Sequence, residues 1–156
     1  MSMAGIPNNA LVFVGDGRKA LLLRNEGDNR LPSLKAEAVF EDQNQATHLQ
    51  GTDRPGHFVK GIASGQRGAV EPTNWHELEE YRFTKRVARA AEEIVRSGKA
   101  TALVIVAPPR TLAELRTTLH PDVKRHIIAE IPKDLTKLAV REIEKHVVEA
   151  LALPTR

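Results

Sequence analysis

Apolar residues along this chain follow two rhythms, short runs before residue 42 and helical spacing after residue 74. Residues 10–14 (ALVFV) form a short apolar run rich in β-branched and aromatic side chains, closed by the turn sequence Gly15-Asp16-Gly17. Ala20 to Leu23 resume the apolar character after Arg18 and Lys19, so 10–14 and 19–23 read as a hairpin. Asn25-Glu26-Gly27-Asp28-Asn29 makes a second turn. Leu34, Ala36, Ala38 and Phe40 then alternate with Lys35, Glu37 and Glu41, with Val39 breaking the pattern. That alternation predicts a half-buried strand over 34–41. Three strands joined by short turns make an antiparallel meander.

The later rhythm is helical. Asn74 and Glu77 have the spacing of a capping box, and Phe83, Val87, Ala90, Ala91, Ile94 and Val95 recur on one face up to Gly98, a residue suited to the left-handed position after a helix. Residues 101–107 (TALVIVA) are apolar on both faces, the signature of an interior parallel strand, and Pro108-Pro109 end it. Thr111 and Glu114 read as a second capping box opening a short helix to about Leu119. A strand is expected over 124–131. A last helix follows Asp134, with Leu138, Ile143, Val147 and Leu151 on its buried side. The sum is one α/β domain over 1–156: a mixed five-stranded sheet, meander first and strand–helix crossovers after.

Between the two rhythms lies a polar stretch, Asp42 to Asn74, without a sustained apolar period. A connection of that length inside one domain usually carries function or disorder. Five glycines between Gly51 and Gly68 leave little apolar surface to offset the entropy of ordering it. Near its end stands Ser64-Gly65-Gln66-Arg67-Gly68. This loop resembles the Gly-Gly-Gln loop of archaeo-eukaryotic peptide-chain release factors, in which glycines bend the backbone and the Gln meets the ester of peptidyl-tRNA. The resemblance makes Gln66 the candidate catalytic residue. Ser64 stands where the first Gly would be, and its Cβ strains backbone angles that glycine adopts freely. Ribosome-dependent peptidyl-tRNA hydrolysis is thereby weakened, and no independent catalysis is expected.

Composition narrows the chemistry further. The chain has no cysteine, so disulfides and thiolate metal sites are excluded. Its six histidines show no pair at ligand spacing beside a carboxylate, so neither a metal site nor a cofactor is expected. Asp16 stands where ribonuclease-H-like nucleases place a metal-binding carboxylate. The strand at 101–107 carries no acid to complete such a site, and Gly-Asp-Gly is explained by a turn. No run approaches the ~20 apolar residues of a membrane span, and the first nine residues lack a basic start and an apolar core, so a cytoplasmic protein without membrane contact is expected. A net charge of +3 permits nucleic-acid binding without arguing for it.

Arg82, Lys85, Arg86 and Arg89 follow the loop on one predicted helix. At helical spacing they form a stripe that suits RNA phosphates. The plainer alternative is a solvated face, because Glu79, Glu92 and Glu93 stand three or four residues from Arg82 or Arg89. Trp75 and Tyr81 suit base stacking or, more plainly, packing of the helix start on the core. Arg110, at the carboxyl end of an interior parallel strand, is a candidate anion contact or a salt-bridge partner.

Several motifs together resemble the bacterial host-attachment protein family, itself related to the central domain of those release factors. They are the strand and turn from Val12 to Ala20, Asn25-Glu26-Gly27, Thr52-Asp53-Arg54-Pro55-Gly56, Ala69 to Pro72, and the helix entry holding Glu80 and Phe83. Val106-Ala107-Pro108-Pro109-Arg110 and Lys133-Asp134-Leu135-Thr136 complete the match. The resemblance implies a ribonuclease-H-like arrangement of the sheet. It implies a binding module whose partner is the ribosome or tRNA, reached through the loop and the basic helix. The alternative is a protein partner in cell-surface attachment with no nucleic-acid role.

Overall fold

A strand that is apolar at every position has no face to offer water, and Ala10–Gly15 (β1) is buried throughout. The computed structural model, which describes residues 5–42 and 72–152, places β1 in the middle of a five-stranded sheet. Lys19–Asn25 (β2) pairs antiparallel with β1, and Leu34–Glu41 (β3) pairs antiparallel with β2. On the other side Ala102–Val106 (β4) runs parallel to β1, from Ala10↔Ala102 to Val14↔Val106, and Ile127–Ile131 (β5) runs parallel to β4. Among the described residues the helices are Pro72–Arg96 (α1), Pro109–Thr118 (α2), the single turn Pro121–Lys124 (α3) and Val140–Ala152 (α4). The strand order is β3-β2-β1-β4-β5. The α/β class and the mixed sheet are those the sequence predicts.

Side chains alternate between two cores. Leu11, Phe13, Leu22, Leu103 and Ile105 face Phe83, Val87, Ala91 and Val95 of α1 and Leu112 and Leu115 of α2. Val12, Val14, Leu23, Val104 and Val106 face the other way, onto Ile143 and Val147 of α4 and Leu135 before it. Each fully buried Leu or Ile contributes ~2–3 kcal/mol by leaving water, so the sheet is held from both sides.

Several boundaries differ from expectation. α1 opens at Pro72, so Asn74 lies inside its first turn and is not the cap. Similarly α2 opens at Pro109 behind Pro108, with no side-chain cap bond, and Thr111 is a buried helical residue. In both places a proline, which has no amide hydrogen to leave unsatisfied, starts the helix earlier than the capping-box pattern suggests. The strand expected over 124–131 is confined to Ile127–Ile131, because Pro121–Lys124 form a helical turn that buries Val123. Leu138 lies before α4 and is exposed. Of the polar stretch, 72–74 are helical and 43–71 lie outside the described residues.

The turns between the first strands are built by carboxylates. Asp16 Oδ1 accepts from the backbone N–H of Arg18 and Lys19, both at 2.8 Å, around Gly17 at φ 94°. Asp28 accepts from Arg30 and Leu31, and these backbone bonds hold its carboxyl below the ordinary value. Asn25 was read as a turn residue, and its role is larger. Fully buried, its Nδ2 donates to the carbonyls of Ile6 (2.8 Å) and Pro7 (3.1 Å), while its Oδ1 accepts from Gly27 N (2.9 Å) and Ser33 N (2.8 Å). One amide thus ties the segment before β1 to both ends of the β2–β3 connection. Asn25→Ala leaves these donors and acceptors without their partner, and a loss of at least about 2 kcal/mol is expected. Urea denaturation checks it; an unchanged midpoint would show that water replaces the amide.

Candidate nucleic-acid interface on the first helix

α1 has 25 residues and so runs ~38 Å. Its Phe83, Val87, Ala88, Ala91 and Val95 are buried against the sheet, which turns Arg82, Lys85, Arg86 and Arg89 outward, all exposed. Among the described residues, no carboxylate forms an ion pair with any of the four. Arg86 Nη2 reaches the Glu41 carbonyl at 3.5 Å, and its guanidinium lies 5.2 Å from the centre of the Phe83 ring. Lys85 Nζ stands 5.9 Å from the centre of the Tyr81 ring.

The carboxylates that the solvated-face reading offered as partners are engaged elsewhere or stand apart. Glu92 is 2% exposed and turns inward, its Oε2 accepting from His120 N at 2.9 Å and its Oε1 lying 3.7 Å from Arg96. Arg96 in turn forks onto Asp122 of α3 at 2.9 and 3.0 Å, and this pair pulls the Asp122 carboxyl down to about 2. By phase Glu92 stands at the edge of the buried stripe, beside Ala88 and Val95 but also beside the exposed Tyr81 and Lys85, so spacing alone left its inward turn undecided. Glu79 and Glu93 flank the basic group without an ion pair among the described residues.

Trp75 and Tyr81 do not staple the helix to the core. They are 47% and 37% exposed, with Leu78 between them at 40%.

A second polar group gathers at the carboxyl ends of β1, β4 and β5. Arg110 pairs with Glu77 at 3.1 Å, and Arg18 approaches Glu80 at 3.7 Å. The Arg110 guanidinium is therefore already matched by a carboxylate. Thr136 Oγ1 lies 2.7 Å from Asp134 Oδ1 and 3.2 Å from Asp16 Oδ2, joining the turn after β1 to the segment after β5. Burial raises the Glu114 carboxyl above its ordinary value, against the pull of Arg110 and of the buried Thr84 hydroxyl nearby. Among the described residues no three His, Asp or Glu side chains group so as to hold a metal ion. Ser64, Gly65, Gln66, Arg67 and Gly68 lie outside the described residues.

Fold and surface together define an α/β protein whose longest described helix presents cations on its outer side that form no ion pair among the described residues. The chain belongs to the family described as "Protein required for attachment to host cells", whose sequence model matches residues 11–147. That match runs from β1 into α4 and so takes in every strand. Among curated proteins none matches the chain. None of the helices described is long and apolar enough to cross a membrane.

Two pH dependences follow. The folded-state pKa of Asp122 is depressed from 3.8 to about 2, so its contribution is full above its unfolded value and lost as pH falls through the folded one. Asp122→Asn should melt below wild type at neutral pH, with the gap closing between pH 3.8 and about 2; a gap that persists to the bottom of that range would show that the Arg96 bond needs no charge. Glu114 has the opposite sign. Its raised pKa favours the protonated form in the folded state, so stability is lost as pH rises from 4.5 through the folded value. Glu114→Gln should melt above wild type at neutral pH and match it below pH 4.5. Melting scans across pH read both.

Proposed function

We propose that this protein is a binding module, without catalysis of its own, that engages ribosomal RNA or tRNA through the basic face of α1. The observation that carries the reading is that Arg82, Lys85 and Arg89 form no ion pair among the described residues. Arg18, Arg24, Arg96, Arg110 and Arg116 each have a carboxylate partner, so the chain does not lack acids to spend on its arginines. Cations held outward on a rigid helix suit a polyanion, which releases counterions as each phosphate is neutralised. The loop at Gln66 supplies a second contact in this reading, on its resemblance to the release-factor loop. The second reading is a protein-interaction factor in cell-surface attachment, which draws its support from the attachment named in the family's description.

Sedimentation of a native lysate through a ribosome gradient at low and moderate salt separates the two. Co-migration with ribosomal particles that weakens with salt supports RNA engagement, and a free pool at every salt supports the protein partner. Arg82→Glu and Arg89→Glu break no ion pair among the described residues. Each should lower RNA affinity and reduce the log–log salt slope by about 1. Gln66→Ala removes one neutral side chain and should leave affinity unchanged. Equal affinity in all variants would remove the RNA reading.

A further inference from the structure

Among the described helices, the exposed large apolar side chains are Trp75, Leu78 and Tyr81, all near the start of α1. A face that only met water would not gather them. They share the helix with Arg82, Lys85, Arg86 and Arg89. At ~100° per residue, Trp75, Leu78, Arg82, Arg86 and Arg89 fall within an arc of ~80°, with Lys85 and Tyr81 flanking it on one side. Trp75 and Arg89 are ~21 Å apart along the axis, so the outer surface is aromatic at its amino end and cationic beyond. Lys85 lying over Tyr81 joins the two zones.

We propose that this face takes single-stranded RNA in preference to duplex, with unpaired bases stacked on Trp75 and Tyr81 and the following phosphates along Arg82, Lys85, Arg86 and Arg89. The proposal rests on the RNA reading above and adds the form of the nucleic acid. In a duplex the π-faces of the bases are occupied by their neighbours, and A-form grooves show an outer helix little beyond phosphates and hydroxyls. A single strand offers both parts, bases for the rings and a backbone for the cations. An apolar protein segment would fit Trp75 and Leu78, yet would leave four adjacent cations without counter-charge. Charge complementarity therefore selects the polyanion.

Trp75 is the only tryptophan in the chain, so the intrinsic emission of the full-length protein reports this position alone. Titration with a short oligouridylate, with duplex RNA of equal length and with inorganic polyphosphate tests the proposal. The expected result is quenching by the single strand only, with weaker and unquenched binding of the other two. Trp75→Ala should weaken single-strand affinity by ~5–100-fold with an unchanged salt slope, and Trp75→Phe, which keeps a ring, should restore most of it. Circular dichroism matching wild type confirms the fold of each variant. Equal binding of all three ligands without quenching would overturn the stacking proposal and leave the basic-face reading standing. Binding of none would remove both. Emission already blue-shifted and shielded from acrylamide in the free protein would show the rings covered, and would also overturn it.

Discussion

A sheet whose interior strands are apolar on both faces must be covered twice, and the rest of the molecule follows from that requirement. β1 and β4 carry buried side chains at every position, alternating between the two cores. α1 and α2 close one face and α4 the other. A helix pressed onto a sheet through one stripe has its opposite stripe fixed outward. The orientation of Arg82, Lys85 and Arg89 is thus a consequence of where Phe83, Val87 and Ala91 are buried. No loop has to hold them, and their spacing is as rigid as the core beneath.

The acids of α1 explain why its bases are left over. Glu77, Glu80 and Glu92 face neighbouring elements: Arg110 of α2, Arg18 of the β1–β2 turn, and the His120 amide before α3. Arg96 extends this seam to Asp122. The exposed pairs among these are individually weak, but their placement is consistent. These three carboxylates turn toward the supports of the helix and the central cations turn away from them, while Glu79 and Glu93 stay beside the cations. Family membership is compatible with such a surface without specifying its partner, since the matched region covers the sheet and its helices alike.

How much was legible in the sequence depended on whether local chemistry decided the outcome. The meander was legible because Asp16 with Gly17, and Asp28 after Asn25, carry their own turn chemistry. β4 was legible because only a strand covered on both faces is written TALVIVA. Helix starts at Pro72 and Pro109 were misread because a capping-box pattern looks the same whether or not a proline has already begun the helix. The basic quartet is visible from spacing, but its lack of ion pairs among the described residues is not. Whether Glu92 meets Arg89 or turns inward is decided by His120, which arrives from 28 residues on. The exposure of Trp75 was hidden for a similar reason, since spacing shows a ring near a helix start and says nothing of what lies beneath it. Asn25 looks like a turn residue in the sequence because its partners Ile6 and Pro7 come from before β1.

The seam between β1 and β4 has a topological consequence. It is the line along which the stretch before residue 42 meets the stretch after residue 72, through parallel main-chain bonds from Ala10↔Ala102 to Val14↔Val106. The meander and the strand–helix half are each contiguous in sequence, and α1 lies across the join, with Phe83 and Val87 packed on Leu22 and Phe13 of the first half. Once folded, the halves are joined by the β1–β4 main-chain bonds and by the packing of α1, and not only by covalent continuity between Asp42 and Pro72. A chain cut between these points is therefore expected to remain a paired complex of two fragments. The same seam makes the protein a natural two-piece reporter, in which reassembly of the halves reads out whatever brings them together.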